Sequence, residues 1–286
     1  MKAATTQWIP APRDTPQNVA LYAVGDVHGH AAELTAINAL IADAMLPLPA
    51  RHHAIVYLGD YVDRGPDIVE TLDILIAESN REDGVERVFL VGNHDQCLIE
   101  TLNGDPALDR AFFTAWFDNG GETTLNAIGL EGYGQLIAAR RFEELAMRTE
   151  EALGPARVEF LSSLIPSHRI GNYVFVHAGI DPDRPLDEQE FADLVLIRRA
   201  FLDADADWKH SFCVVHGHSI ASPTVKLHRI GVDAGCYARG ALCAAQIADG
   251  LVRFMGVTSE EGFVWNERLK GNSGQLTWGP PTIISN

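Results

Sequence analysis

The chain has 286 residues, 47% of them hydrophobic, and a formal net charge of -17. That length and apolar content suffice for one large core, so a single elaborated α/β domain is expected. The acidic balance excludes broad binding to a nucleic-acid backbone, which needs clusters of Lys and Arg, but not a phosphate substrate, because bound cations would neutralise part of the carboxylate excess.

Residues 1–18 carry Pro10, Pro12 and Pro16 and no continuous apolar run, and read as an N-terminal arm before one domain spanning 19–286. Nothing along the chain reaches the apolar length of a membrane span. Residues 19–24, 54–58 and 87–91 have the length and apolar character of short strands, and each runs into a glycine. Between them Leu34, Ile37, Ile41 and Ala44 recur at helical spacing, as do Val69, Leu72 and Ile76 after Pro66, which suits a first helical position. The order is βαβαβ. Asp26, Asp60 and Asn93 recur at intervals close to the ~30 residues of one βαβ unit, which aligns the three strands in a largely parallel sheet. Right-handed crossovers then bring the three loops to one sheet edge. From about 103 to 167 the pattern changes to longer helical stretches, read as a helical insertion beside that edge, with Phe112, Phe113, Trp116 and Phe117 assigned to helix packing. Strand patterns resume at 173–176 and 212–215, and a hairpin is expected over 241–248 and 251–257 around Asp249-Gly250. These later strands read as a second sheet. Cys97, Cys213, Cys236 and Cys243 lack C-x-x-C spacing and the density of a disulfide scaffold, which suits reduced core thiols in a cytoplasmic protein.

The chemistry concentrates in five blocks, each following an apolar run: Gly25-Asp26-Val27-His28-Gly29, Gly59-Asp60-Tyr61-Val62-Asp63-Arg64-Gly65, Gly92-Asn93-His94-Asp95, His177-Ala178-Gly179 and His216-Gly217-His218. Carboxylate, amide and imidazole donors of this kind suit two divalent metals. Hydrolysing a phosphoester near neutral pH needs a nucleophile stronger than water and stabilisation of charge on the phosphoryl oxygens, and two cations roughly 3.5–4 Å apart supply both. Asp60, on the middle strand, is the candidate bridging carboxylate. Asp26 and His28 would complete one site, and Asn93, His177 and one of His216 and His218 the other, with a hydroxide bridging the two ions as the attacking group. Taken singly, Asp26, Asp60 and Asn93 fit turn or helix-cap roles better than metal ligation; their joint recurrence reverses that and points to metals. His52, His53, His168, His210 and His228 read as surface or loop imidazoles, and Asp95 as an acid at a helix N-terminus. Asp233 and Tyr237 stay open between a turn or core role and a pocket role.

The series GDVHG, GDYVDRG, GNHD, HAG and HGHS resembles the bacterial phosphoprotein phosphatases among the calcineurin-like metallophosphoesterases, over the stretch from Gly25 to about Gly240. The resemblance implies a sandwich of two mixed β-sheets flanked by helices. It also implies that Asp26, His28 and Asp60 hold one metal and Asp60, Asn93, His177 and His218 the other. Mn²⁺ is the expected ion, with Fe, Zn²⁺ and Mg²⁺ as alternatives, and His216 is left to the pocket lining. By the same resemblance His94 is a general acid oriented by Asp63, and Arg64 grips the phosphate. Leu196-Ile197-Arg198 resembles a bacterial Trp-Ile-Arg block, with Leu in place of Trp, and makes Arg198 a second phosphate ligand. The implied activity is hydrolysis of phosphomonoesters, with protein phosphoserine and phosphothreonine as the first substrate class and small phosphoesters as the other partners; neither nucleic acid nor a membrane is expected. Symmetrical hydrolysis of diadenosine tetraphosphate is the alternative. Phosphodiester cleavage is disfavoured because Ile220 stands where such relatives end Gly-His-x-His, and a non-catalytic metal-holding module because no ligand or acid position is missing.

Overall fold

The computed structural model describes residues 1–48, 51–105, 107–205, 208–259, 267–269 and 276–278. Its strands in chain order are β1 (Lys2–Thr5), β2 (Ile9–Pro10), β3 (Val19–Val24), β4 (His52–Tyr57), β5 (Glu86–Phe89), β6 (Ser167–Ile170), β7 (Tyr173–Val176), β8 (Cys213–His216), β9 (Thr224–Val225), β10 (Arg229–Gly231), β11 (Ala241–Ala248), β12 (Leu251–Thr258), β13 (Glu267–Leu269) and β14 (Leu276–Trp278). The helices are α1 (Ala31–Met45), α2 (Ile68–Ser79), α3 (Asn93–Asn103), α4 (Arg110–Asp118), α5 (Gly121–Ala127), α6 (Tyr133–Ala138), α7 (Phe142–Leu153), α8 (Pro155–Ser162), α9 (Phe191–Leu196), α10 (Arg199–Leu202) and α11 (Cys236–Arg239). No described helix is long and apolar enough to cross a membrane.

The strands form two mixed sheets, one ordered β1-β12-β11-β3-β4-β5 with β2 on β12, the other β13-β14-β9-β10-β8-β7-β6. Period-two alternation along β3 divides its side chains between two cores. Leu21 and Ala23 face the second sheet, while Tyr22 and Val24 meet Leu34, Ile37 and Ile41 of α1. Across the second sheet Phe175 and Val215 point inward, and Val174, Val176 and Val214 are covered by Leu194, Val195 and Phe201 of α9 and α10. The result is four layers, helix on sheet on sheet on helix, with β3 and β4 apolar on both faces because both are covered.

β3, β4 and β5 are parallel, with Val24 beside Tyr57 and Tyr57 beside Phe89, so the loops that follow leave from one edge in register. Asp60 follows the central strand of the three. β3, β7 and β11 have the expected bounds, and β4, β5, β8 and β12 differ from theirs by one or two residues. A larger correction concerns the hairpin, which belongs to the first sheet: β11 pairs antiparallel with β3. β11 is buried along its whole length, sending Leu242 and Ala244 to the helix side and Cys243, Ala245 and Ile247 between the sheets. A strand apolar on both faces needs cover on both, which the open edge of β3 provides. The turn at Asp249-Gly250 has positive φ at both residues, 53° and 70°, as a tight hairpin turn requires.

Helix α2 also departs from expectation. Pro66 precedes the N-cap Asp67 instead of opening the helix, and the buried face is Ile68, Thr71, Leu72 and Leu75, so that of the expected Val69, Leu72 and Ile76 only Leu72 is fully buried. The Asp67 amide donates to the Gly29 carbonyl at 2.9 Å, which anchors the helix start and sets its rotation. In the 1–18 segment β1 and β2 each pair with β12.

Candidate active site

Five residues of the motif blocks, His28, Asp60, Asp63, Arg64 and His218, have positive φ, at 47°, 54°, 68°, 70° and 60°. Each such non-glycine residue costs about 1–3 kcal/mol and persists only where its surroundings over-determine it. For Asp60 those surroundings are set by Asp95. In the first turn of α3, its fully buried carboxylate accepts the amides of Asp60 at 2.7 Å, Tyr61 at 2.9 Å and Gly92 at 2.9 Å. Asp95 is thus a helix N-terminal acid and also the clamp joining two motif loops. Asp95→Ala, which strands these buried amides, is expected to cost about 3–5 kcal/mol in denaturant unfolding. A loss under about 1 kcal/mol would mean the loops hold their shape without it. Two motif glycines make room for carboxylates: a Cβ on Gly92 would lie 2.1 Å from Asp60 Oδ1, and one on Gly217 would lie 2.1 Å from Asp26 Oδ1.

The six expected metal ligands converge. His28 Nε2 lies 3.4 Å from Asp60 Oδ2, and His177 Nε2 lies 3.4 Å from Asp60 Oδ1 and 3.1 Å from Asn93 Oδ1. The Asp26 carboxylate accepts the His218 amide at 3.0 Å, and the His177 and His218 rings stand 5.1 Å apart. Two trios, His28 with Asp60 and His94 and Asp60 with His177 and His218, each bring ligand atoms within 4.8 Å of one another, and Asp60 is common to both. The second ring nitrogens behave as metal-site histidines do: Nδ1 of His28 meets the Val62 carbonyl at 2.8 Å, and Nδ1 of His177 meets the Leu58 carbonyl at 2.8 Å.

These donors fit divalent cations. Nε2 of His218 is buried without a hydrogen-bond partner. Burial pushes the pKa of His28 down to about 3 and that of His218 down to about 3, keeping both in the neutral form that ligates. Asp26, buried beside Asp233 and Asp60, is pushed well above the carboxylate range. Burial would also raise Asp60, but His177 and His94 outweigh it and hold Asp60 well below that range. Burial opposes charge on His177, yet Asp60 prevails and lifts its pKa to about 10. Three buried carboxylates in one cavity make an environment that a cation's charge satisfies.

At the rim, His94 Nδ1 meets Asp63 Oδ2 at 2.7 Å. Burial works against the imidazolium, but Asp60 and Asp63 outweigh it and raise the His94 pKa above its ordinary value. Nη2 of Arg64 stands 3.0 Å from His94 Nε2, and its guanidinium lies 4.0 Å above the Tyr237 ring. Arg198 reaches towards the His218 carbonyl, at 3.5 Å. His94, Arg64 and Arg198 line a cavity of about 420 Å³ with the metal-ligand candidates Asp26, His28, Asp60, Asn93 and His218 and with Asn119, Leu196, Ile220, Asp233 and Tyr237. Asp233 has both of its open roles, as cavity wall and as acceptor for the Gly235 amide at 2.8 Å. His216 is a correction: it is buried behind the wall, bonded to Arg229 at 3.2 Å and set against Phe201, instead of facing the pocket. His53 and His228 are buried too, not surface imidazoles; His228 is enclosed by Phe201, Trp208 and Asp205.

Sequence reasoning missed two partners of Asp63. Trp116 Nε1 donates to Asp63 Oδ2 at 2.7 Å and Thr124 Oγ1 to Oδ1 at 2.5 Å. Trp116 was assigned to packing, which it also does, and Thr124 carries no local signal. Beside His94 an apolar groove of about 390 Å³ opens between α4 and α9, walled by Phe112, Trp116, Phe191 and Leu196.

Residues 20–240 match the family model described as calcineurin-like phosphoesterase. The chain belongs to that family. Among curated members it is 32% identical over 165 residues to a symmetrical bis(5'-nucleosyl)-tetraphosphatase of Methylococcus capsulatus, a match covering 57% of this chain and 44% of that one. It is 24% identical over 238 residues to the asymmetrical bis(5'-nucleosyl)-tetraphosphatase PrpE of a Geobacillus species, covering 77% and 87%. The chain thus spans less than half of the first of these phosphoesterases. A crystal structure provisionally assigned as a diadenosine tetraphosphatase superposes with a TM-score of 0.57 at 20% identity, over 87% of this chain and 97% of the other, and shares the family fold.

Proposed function

We propose that this phosphoesterase hydrolyses phosphomonoesters, with phosphoserine and phosphothreonine of proteins as its substrate class. The carrying observation is the buried Asp63–His94 pair, 2.7 Å apart, with Nε2 turned to a cavity that holds Arg64, Arg198 and a shared carboxylate, Asp60. In this reading Asp26, His28 and Asp60 hold one divalent ion and Asp60, Asn93, His177 and His218 the second. Two bound cations would supply Lewis acidity towards the phosphoryl oxygens and bring the pKa of a water close to 7.

The chain's own groups do the rest. Arg64 and Arg198 grip the phosphate oxygens and orient the ester for in-line attack. A guanidinium can donate to His94 Nε2 only while that nitrogen is unprotonated, so the move of Arg64 onto the phosphate frees Nε2 to carry a proton. His94 then gives that proton to the leaving oxygen while Asp63 holds Nδ1.

Symmetrical cleavage of a dinucleoside tetraphosphate is the second reading, favoured by the names of the curated relatives and by the apolar groove beside His94. By their names the two relatives share a bis(5'-nucleosyl) tetraphosphate substrate and differ in whether its phosphate chain is cut symmetrically. On manganese-loaded protein, kcat/KM for a phosphothreonine peptide is expected to exceed that for diadenosine tetraphosphate and for bis(4-nitrophenyl) phosphate by about tenfold or more. A chelator should abolish turnover and Mn²⁺ should restore it. The reverse preference selects the second reading, and no turnover of any ester by the loaded protein leaves a metal-holding module.

A further inference from the structure

The Asp63 carboxylate is fully buried, and the helical segment outside the motif blocks occupies both of its oxygens. Trp116 of α4 donates its indole proton to Oδ2, the oxygen that also meets His94 Nδ1. Thr124 of α5 accepts the Asp63 amide at 2.9 Å and donates its hydroxyl to Oδ1, so a ring of bonds closes through one side chain. With its acceptor role taken by that amide, the hydroxyl has its single proton committed to Oδ1. The carboxylate is thereby locked in rotation.

The same segment holds the backbone. Arg64 N donates to the Gly120 carbonyl at 3.3 Å, which steadies two consecutive residues at φ 68° and 70°. A Cβ on Gly121 would lie 2.4 Å from the Trp116 indole nitrogen, so the indole reaches Asp63 only across a glycine. Tryptophan, two glycines and threonine therefore converge on Asp63-Arg64 from one helix-turn-helix, more than packing alone requires.

We propose that Trp116 and Thr124 are positioning residues for proton donation: acting through Asp63, they hold the His94 ring with Nδ1 bound and Nε2 directed into the cavity. This rests on the reading of the site as a phosphoesterase in which His94 protonates the leaving oxygen. The α4–α5 segment is then part of the acid apparatus and not only a wall of the groove. Asp63 could not do this alone, because a carboxylate with free rotation about χ2 offers His94 either oxygen at shifting angles.

A positioned acid matters more as the leaving oxygen becomes more basic, so the test compares 4-nitrophenyl phosphate with phenyl phosphate, whose phenolate leaves as the stronger base. In manganese-loaded Trp116→Phe and Thr124→Val, kcat for phenyl phosphate is expected to fall roughly tenfold, a part of the 10²–10⁴-fold that a positioned acid supplies, and kcat for 4-nitrophenyl phosphate about twofold or less. Metal content should stay at the wild-type value, and Thr124→Ser, which keeps the hydroxyl, should restore the wild-type ratio. A purely structural role lowers both rates together by reducing the folded fraction. An unchanged kcat ratio in Trp116→Phe and Thr124→Val, while His94→Asn widens it, overturns the proposal and leaves the acid in place. An unchanged ratio in His94→Asn as well removes the acid reading itself, and the positioning role with it.

Discussion

Asp60→Asn is expected to lower kcat by about 10³-fold or more and to reduce bound metal from two ions per chain towards one or none. Both candidate trios contain this carboxylate, with Oδ2 turned to His28 and Oδ1 to His177. An asparagine keeps the shape but offers one neutral oxygen, so it cannot serve two cations at once. Its amide would also face imidazole nitrogens that need a negative neighbour, since Asp60 is what raises His177. The measurement is metal content by mass spectrometry beside turnover on the same preparation. Two ions per chain with ordinary kcat would remove the shared-carboxylate reading.

His94→Asn is expected to behave differently, keeping the metals while kcat falls about 10²–10⁴-fold. The distinction is sharp because His94 stands close enough to His28 and Asp60 to complete one of the trios. Its ring nitrogens are otherwise engaged, Nδ1 by Asp63 and Nε2 by Arg64, and only its backbone amide donates to Asp60, at 3.0 Å. The side-chain change leaves that amide bond intact. Loss of an ion together with activity would make His94 a ligand and leave the proton transfer without a donor.

Much of the site was legible in the chain because its parts are short and contiguous. A strand, a closing glycine and a donor two to four residues wide announce themselves locally, and the recurrence of Asp26, Asp60 and Asn93 at βαβ spacing follows from the parallel sheet that β3, β4 and β5 form. Within a block the amino-acid type also carries the reason for the geometry: Gly92 and Gly217 are the residues that let Asp60 and Asp26 approach. The Asp-Gly turn of the hairpin was legible for the same cause, a positive φ that few residue pairs accept.

What the linear order concealed depends on who covers whom. The hairpin strand β11 is apolar on both faces, which demands two covers but does not say which sheet supplies them, and β3 supplied the edge. A one-position rotation separates the face read for α2 from the face it buries, since Ile68, Val69, Leu75 and Ile76 are all apolar. His53 and His228 show no local mark of being enclosed, because burial of an imidazole is decided by neighbours distant in sequence. Trp116 and Thr124 meet Asp63 across 53 and 61 positions, and nothing in an aromatic helix or a lone threonine announces such a contact. Residue type and short-range spacing thus determined the donor atoms and the edge where they gather, since these follow from strand period and backbone sterics. The assembly of layers chose the sheet of the hairpin, the desolvation that separates the imidazoles in pKa, and the support behind Asp63, since hydrophobic cover and long-range hydrogen bonds exist only once the chain has closed on itself.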